Sequence, residues 1–109
     1  MLKEIEITLF EPIIPGELLG KEVIDSEARR VGIIRGIKIK YPPLKAMLII
    51  RGKELEIDIP IDYVEQIGKT VVKVKKRIDL DEITAEDVIT LTNELKKEIV
   101  AELRMGHDF

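Results

Sequence analysis

Arg30-Val31-Gly32-Ile33-Ile34-Arg35-Gly36-Ile37-Lys38-Ile39-Lys40 is the stretch on which the fold turns. Its second half alternates, with Ile37 and Ile39 set against Lys38 and Lys40. A period of two is that of a strand with one face in a core and the other in water. Gly32 and Gly36 interrupt an otherwise aliphatic run, and glycines inside strands mark a bulge or a sharp bend. A long strand bent at two glycines is what a small closed barrel requires.

Upstream, residues 2–10 alternate Ile5, Ile7 and Leu9 with Glu6 and Thr8, which predicts another strand. Glu11-Pro12-Ile13-Ile14-Pro15-Gly16 is a connector, since two prolines and a glycine break any ladder. Leu18 and Leu19 are expected to plug the barrel or sheet at this point. Residues 21–25 predict a short strand, and Asp25-Ser26-Glu27-Ala28 supplies turn chemistry. Downstream, Tyr41-Pro42-Pro43 stops pairing, because proline cannot donate to a ladder. Residues 45–51 and 53–59 predict a hairpin around Arg51-Gly52-Lys53. Ile61, Val64 and Ile67, three apart, predict a single helical turn over Pro60–Ile67 that closes one end. Residues 70–75 are the last strand. The expected fold is therefore mainly β, a small barrel of about six strands over residues 1–80, followed by a C-terminal helix and short tail over 81–109.

The period changes in that last segment. Thr84 can cap a helix, with Asp87 three residues on. Leu91, Leu95, Ile99 and Leu103 recur every four residues, and Val88, Ile89 and Val100 widen the apolar arc. Gly106 is a stop signal. An isolated helix is marginal in water, so this one needs a surface for its stripe. The stripe either covers the chain's own barrel or docks on an identical helix or another protein. A barrel of roughly 75 residues has little surface to spare, so a homodimer weighs equally with packing in cis. The interface candidates are Leu91, Leu95, Ile99 and Leu103, with Met105 and Phe109 extending the apolar character toward the end of the chain.

Composition removes several classes of chemistry. The 109 residues include no cysteine and one histidine, His107, so thiol catalysis, a thiolate metal site and a multi-histidine metal site within one chain are excluded. There is no glycine-rich phosphate loop, no cofactor loop and no convincing nucleophile–base pair. An enzyme, a cofactor and a metal are not expected. Asp79, Asp81, Glu82, Glu86 and Asp87 cluster at the helix start, where acidic residues favour the dipole. The one basic run is Lys69, Lys73, Lys75, Lys76 and Arg77. Lys73, Lys75, Lys76 and Arg77 could contact RNA phosphates, but a net charge of −3 opposes that, and lysines also guard edge strands. No apolar run reaches a membrane span, and the acidic start is unlike a signal peptide, so a cytoplasmic location is expected. Charged residues make up 36% and amides are only Gln66 and Asn93, a pattern associated with thermophiles.

Leu18-Leu19-Gly20-Lys21-Glu22-Val23-Ile24-Asp25-Ser26-Glu27, followed by Arg30-Val31-Gly32, resembles the opening hairpin of the PRC-barrel family. Glu56-Ile57-Asp58-Ile59-Pro60-Ile61-Asp62-Tyr63-Val64-Glu65-Gln66-Ile67-Gly68 resembles that family's strand, proline, acidic turn and Val-x-x-Ile-Gly close, and Val71-Val72-Lys73-Val74 its final strand. The likeness covers about residues 18–78. Ala28 departs from it, standing where a turn glycine is common, as does Tyr41-Pro42-Pro43-Leu44, in place of a polar turn with glycine. These small barrels occur in the photosynthetic reaction-centre H subunit and in the ribosome-maturation factor RimM. The resemblance implies an adaptor without catalytic residues. Stand-alone archaeal members are nearest in size and composition, and some act in cell division alongside SepF and the tubulin-like FtsZ. The other role it implies is a ribosome- or RNA-associated assembly factor, as in RimM. An electron-transfer accessory like the H subunit is remote, since no span is present.

Overall fold

The computed structural model describes residues 3–9 and 16–105, with side chains in the C-terminal helix described as far as residue 102. It is mainly β. The strands are β1 (Ile5–Leu9), β2 (Glu22–Ile24), β3 (Arg30–Tyr41), β4 (Lys45–Arg51), β5 (Glu56–Pro60), β6 (Val64–Ile67) and β7 (Val71–Val74), followed by one helix, α1 (Ala85–Met105). All seven strands belong to one sheet in the order β5-β4-β3-β2-β7-β6, and β1 joins it by pairing with β3. The 12-residue β3 organises everything. Its start pairs with β2 and its end with β1, while β4 runs along its opposite edge.

Both interior glycines sit where the strand is irregular. The β2 register steps from Gly32 to Arg30, leaving Val31 as an extra residue. The β4 register steps from Ile34 to Gly36, leaving Arg35 as another. Each glycine directly follows a bulged residue, and bulges bend and twist a strand. The sheet curls, but it does not close into the expected barrel. No ladder joins the end strands β5 and β6. Pro60 ends β5 without an N–H to donate, and β6 has only four residues, with a register shift between Val64 and Gln66.

That shift also corrects the expected helical turn. Only Ile61–Tyr63 is 3-10 helix, and Val64–Ile67 is a strand. Val64 pairs with Val74 and Ile67 with Val72. The extra residue puts two positions three apart on one face, which imitates a helical spacing. The strand count is accordingly seven rather than about six.

Two cores lie on opposite sides of β3. Inside the curl, Val23, Val31, Ile34, Leu48, Ile50, Ile59, Val72, Val74, Ile78 and Leu80 pack together. On the other side α1 lies over Leu19, Ile33 and Ile83 through Leu91 and Leu95, with Val88 and Ile99 at the margin. Leu18 packs against the first core and Leu19 lies in the second, so the pair straddles the sheet rather than jointly plugging one cavity. The helix starts on a reciprocal cap: the Asp87 N–H donates to Thr84 Oγ1 at 3.1 Å, and the Thr84 N–H donates to Asp87 Oδ2 at 2.9 Å. Farther along, Arg51 on β4 holds Glu98 of α1 through both guanidinium Nη atoms and Glu56 of β5 through Nε.

The β2–β3 turn is tied down by an ion pair between a buried carboxylate, Asp25, and a part-buried guanidinium, Arg29. Asp25 is fully buried. Its Oδ1 accepts the N–H groups of Glu27 and Arg29, and its Oδ2 accepts Arg29 Nε, Arg29 Nη2 and the Ile78 N–H. The same turn places Ala28 at φ 59°, the one non-glycine residue with positive φ among the described residues. A side chain there costs roughly 1–2 kcal/mol, part of which glycine returns as unfolded-state entropy. Ala28→Gly is expected to raise stability by about 0.5–1 kcal/mol, read as a higher denaturant midpoint at unchanged slope.

Candidate functional site

The sheet face that forms the inner core does not stop where the core stops. Opposed residues on antiparallel strands share a face. Ile59, Leu48, Ile37 and Leu9 form one such row across β5, β4, β3 and β1, Ala46, Ile39 and Ile7 the next, and Tyr41 and Ile5 the last. Leu48 is completely buried. Along the stripe, cover is then lost: Leu9 is 46% exposed, Ile7 50%, Ile5 51% and Tyr41 57%. Half-burial leaves each aliphatic side chain with about 1 kcal/mol of transfer free energy still to gain. Contiguous apolar surface of this kind marks interaction sites.

The opposite face of the same strands is charged and internally paired. Lys38 Nζ donates to Asp58 Oδ2 at 2.6 Å and lies 3.5 Å from Glu6 Oε1, while Lys40 approaches Glu6 at 3.9 Å. The hydrogen bond to Asp58 raises the Lys38 pKa above its ordinary value against the opposing effect of desolvation. An open groove of about 740 Å³ lies at the tip of the β3–β4 hairpin, between Pro42, Pro43 and Leu44 on one side and Met47, Pro60 and Ile61 on the other.

The residues predicted from sequence are distributed differently. Leu91 and Leu95 are buried against the chain's own sheet, and Ile99 packs at the edge of the same cluster. Three of the interface candidates therefore pack in cis. Leu103 and Met105 lie in α1, but their side chains are outside the described residues, as is Phe109 altogether. What α1 leaves exposed is Ile89 and Val100, eleven residues apart on one stripe with Asn93 and Lys96 between them. In the basic run, Val72 and Val74 are buried while Lys73, Lys75, Lys76 and Arg77 are exposed. Lys73 approaches Glu65 at 3.8 Å and Arg77 approaches Glu27 at 3.1 Å. Among the described residues no group of three His, Cys, Asp or Glu is placed to hold a metal ion, and no helix is long and apolar enough to cross a membrane.

Sequence reasoning found β1 but not the exposure of its apolar face. Alternation says that a strand has an apolar side, not whether anything lies on it.

No family model matches the chain, and neither a curated protein nor a solved structure matches it.

Proposed function

We propose that the protein is a homodimeric, non-enzymatic adaptor of the PRC-barrel type that binds other proteins through the uncovered apolar face of β1, β3 and β4. The observation that carries this reading is the stripe itself. It continues the core face outward through Leu9, Ile7 and Ile5, with no charged residue on it among the described positions. A surface of that composition suits protein contact and offers nothing to an ionic ligand. The sequence likeness to stand-alone archaeal members of the family supplies the pathway, cell division beside SepF and FtsZ. A thermophilic archaeal source and a cytoplasmic location belong to the same proposal.

Capture of the tagged protein from its native host, read by mass spectrometry, tests this. Division proteins are expected with the wild type and lost with the double variant Ile5→Glu, Tyr41→Glu at unchanged melting temperature. Capture that is indifferent to those substitutions contradicts the assignment of the face.

A second reading, a RimM-like ribosome- or RNA-associated factor, is favoured by Lys75 and Lys76. They are exposed and have no ion-pair partner among the described residues. On that reading RNA binding weakens steeply with salt and disappears when Lys73, Lys75, Lys76 and Arg77 all become Glu. The absence of any RNA affinity at low salt removes it.

A further inference from the structure

Three strands of the sheet have an outer edge without a ladder partner among the described residues: β5, β6 and β1. Natural edges are guarded by proline, charge, bulges or short length. Strand β5 carries Glu56 and Asp58 and ends on Pro60. Strand β6 is four residues long and bulged. Strand β1, Ile5-Glu6-Ile7-Thr8-Leu9, pairs with β3 over five residues without a register shift, has no proline and carries one charge. Among the described residues it is the least guarded edge, and it borders the exposed apolar stripe.

We infer that a second copy of this chain occupies that edge, the two β1 strands pairing antiparallel about a two-fold axis through Ile7. This deepens the adaptor reading and rests on it for the dimer. The sequence of β1 is self-complementary in this register. Ile5 falls opposite the second copy's Leu9, Ile7 opposite Ile7, and Glu6 opposite Thr8. All the apolar residues stay on one face, and no like charges meet directly across the axis. Glu6 keeps its contacts to Lys38 and Lys40 on the other face. Slipping the pairing by one residue would set isoleucines against Glu6 and Thr8, so the apolar stripe excludes odd slips, and a slip of two toward the start of the strand would set Glu6 against Glu6. The antiparallel arrangement also carries the exposed tip, Ile5 and Tyr41, toward the Leu9 end of the other copy, where that copy's core begins. A closed two-fold contact of this kind uses one patch twice and leaves no β1 edge open for further addition.

The chain contains no cysteine, so single cysteines report the geometry cleanly. Across an antiparallel pair the Cα atoms at the axis lie about 4.5–5.5 Å apart, within the range a disulfide spans. Ile7→Cys is expected to form a disulfide-linked dimer nearly completely on mild oxidation. Glu6→Cys and Thr8→Cys are each expected to cross-link poorly alone and efficiently when mixed. Failure of Ile7→Cys to cross-link, or equal cross-linking of Glu6→Cys alone and in the mixture, overturns the register. Light scattering completes the test. Ile7→Lys, at a solvent-facing position, is expected to be folded and monomeric where the wild type is dimeric. A persisting Ile7→Lys dimer moves the interface elsewhere and leaves the dimeric adaptor standing. A wild type that is monomeric at about tens of micromolar removes the dimer from both proposals, while partner capture by the wild type against Tyr41→Glu alone, a β3 substitution that leaves β1 unchanged, decides the adaptor reading separately.

Discussion

Asp25→Ala is expected to lower stability by about 3 kcal/mol, because it removes the acceptor of three backbone N–H groups and the partner of a part-buried guanidinium, and to depress the melting temperature by roughly 12 °C or more. The carboxylate accepts five hydrogen bonds, from the backbone of Glu27, Arg29 and Ile78 and from two nitrogens of Arg29. Alanine leaves the buried Ile78 N–H and the part-buried donors of Glu27 and Arg29 without their acceptor. The loss propagates, because Arg29 also donates to the carbonyls of Ile78 and Leu80 at 2.7 and 3.1 Å. Those contacts hold the segment that delivers the chain to α1, where the Ile83 N–H meets the Arg30 carbonyl. Asp25→Asn is expected to recover little, since its amide nitrogen would point at donors. Circular dichroism melts of both variants check the result.

The same group sets the behaviour in acid. Burial by itself would raise the Asp25 pKa. The Arg29 guanidinium and the N–H groups of Arg29, Ile78 and Glu27 outweigh it and hold the carboxyl below its usual range. A carboxylate with a depressed folded-state pKa contributes its stability above the unfolded value, about 3.9, and loses it as pH falls through the folded value. Glu98, lowered by its hydrogen bond to Arg51, and Asp87, lowered by the Thr84 N–H, act in the same direction. Stability should be flat from neutrality to about pH 5 and then fall. The Asp25→Ala variant should show a shallower fall over the same window.

Gly32→Ala is expected to cost about 3 kcal/mol or more, toward the upper end for overpacking. A Cβ on Gly32 would lie 2.3 Å from the Arg51 carbonyl oxygen and 2.9 Å from its carbon. Both are backbone atoms of β4, so no rotamer change relieves the contact and the strands must separate. Separation falls where Ile33 pairs with Arg51, the residue that also holds Glu98 of α1. Loosening of the helix should therefore accompany loss of the sheet. Hydrogen exchange should show both, with the α1 amides deprotected along with those of β3. An alanine variant of wild-type stability would mean that β4 does not approach Gly32 this closely.

Much of the fold was legible because periodicity is a local property. The alternation in residues 5–9 and 37–40, the two glycines of β3, the proline stop after Tyr41 and the Thr84–Asp87 cap each lead to the element they mark. Ala28 at positive φ explains why glycine would be the natural choice at that turn. Closure was not legible. Whether β5 meets β6 depends on global curl, and the bulge in β6 disguised a strand as a helical turn. The helix stripe was expected to be buried either in cis or across a dimer; Leu91 and Leu95 lie on the Ile33 side of β3, a destination that follows only from the two-sided packing of that strand, while Ile89 and Val100 of the same arc are exposed. The exposure of Ile5, Ile7 and Leu9 was hidden for the same reason: it depends on what lies nearby, not on the order of residues along β1.

Amide hydrogen exchange of the wild-type protein over a concentration series tests the central claim most directly. If β1 is the working edge, the outward-facing amides among Ile5–Leu9 gain protection as the protein is concentrated, while those of β5, β6 and α1 do not change. Exchange of the β1 amides that is rapid and identical at every concentration would contradict the account.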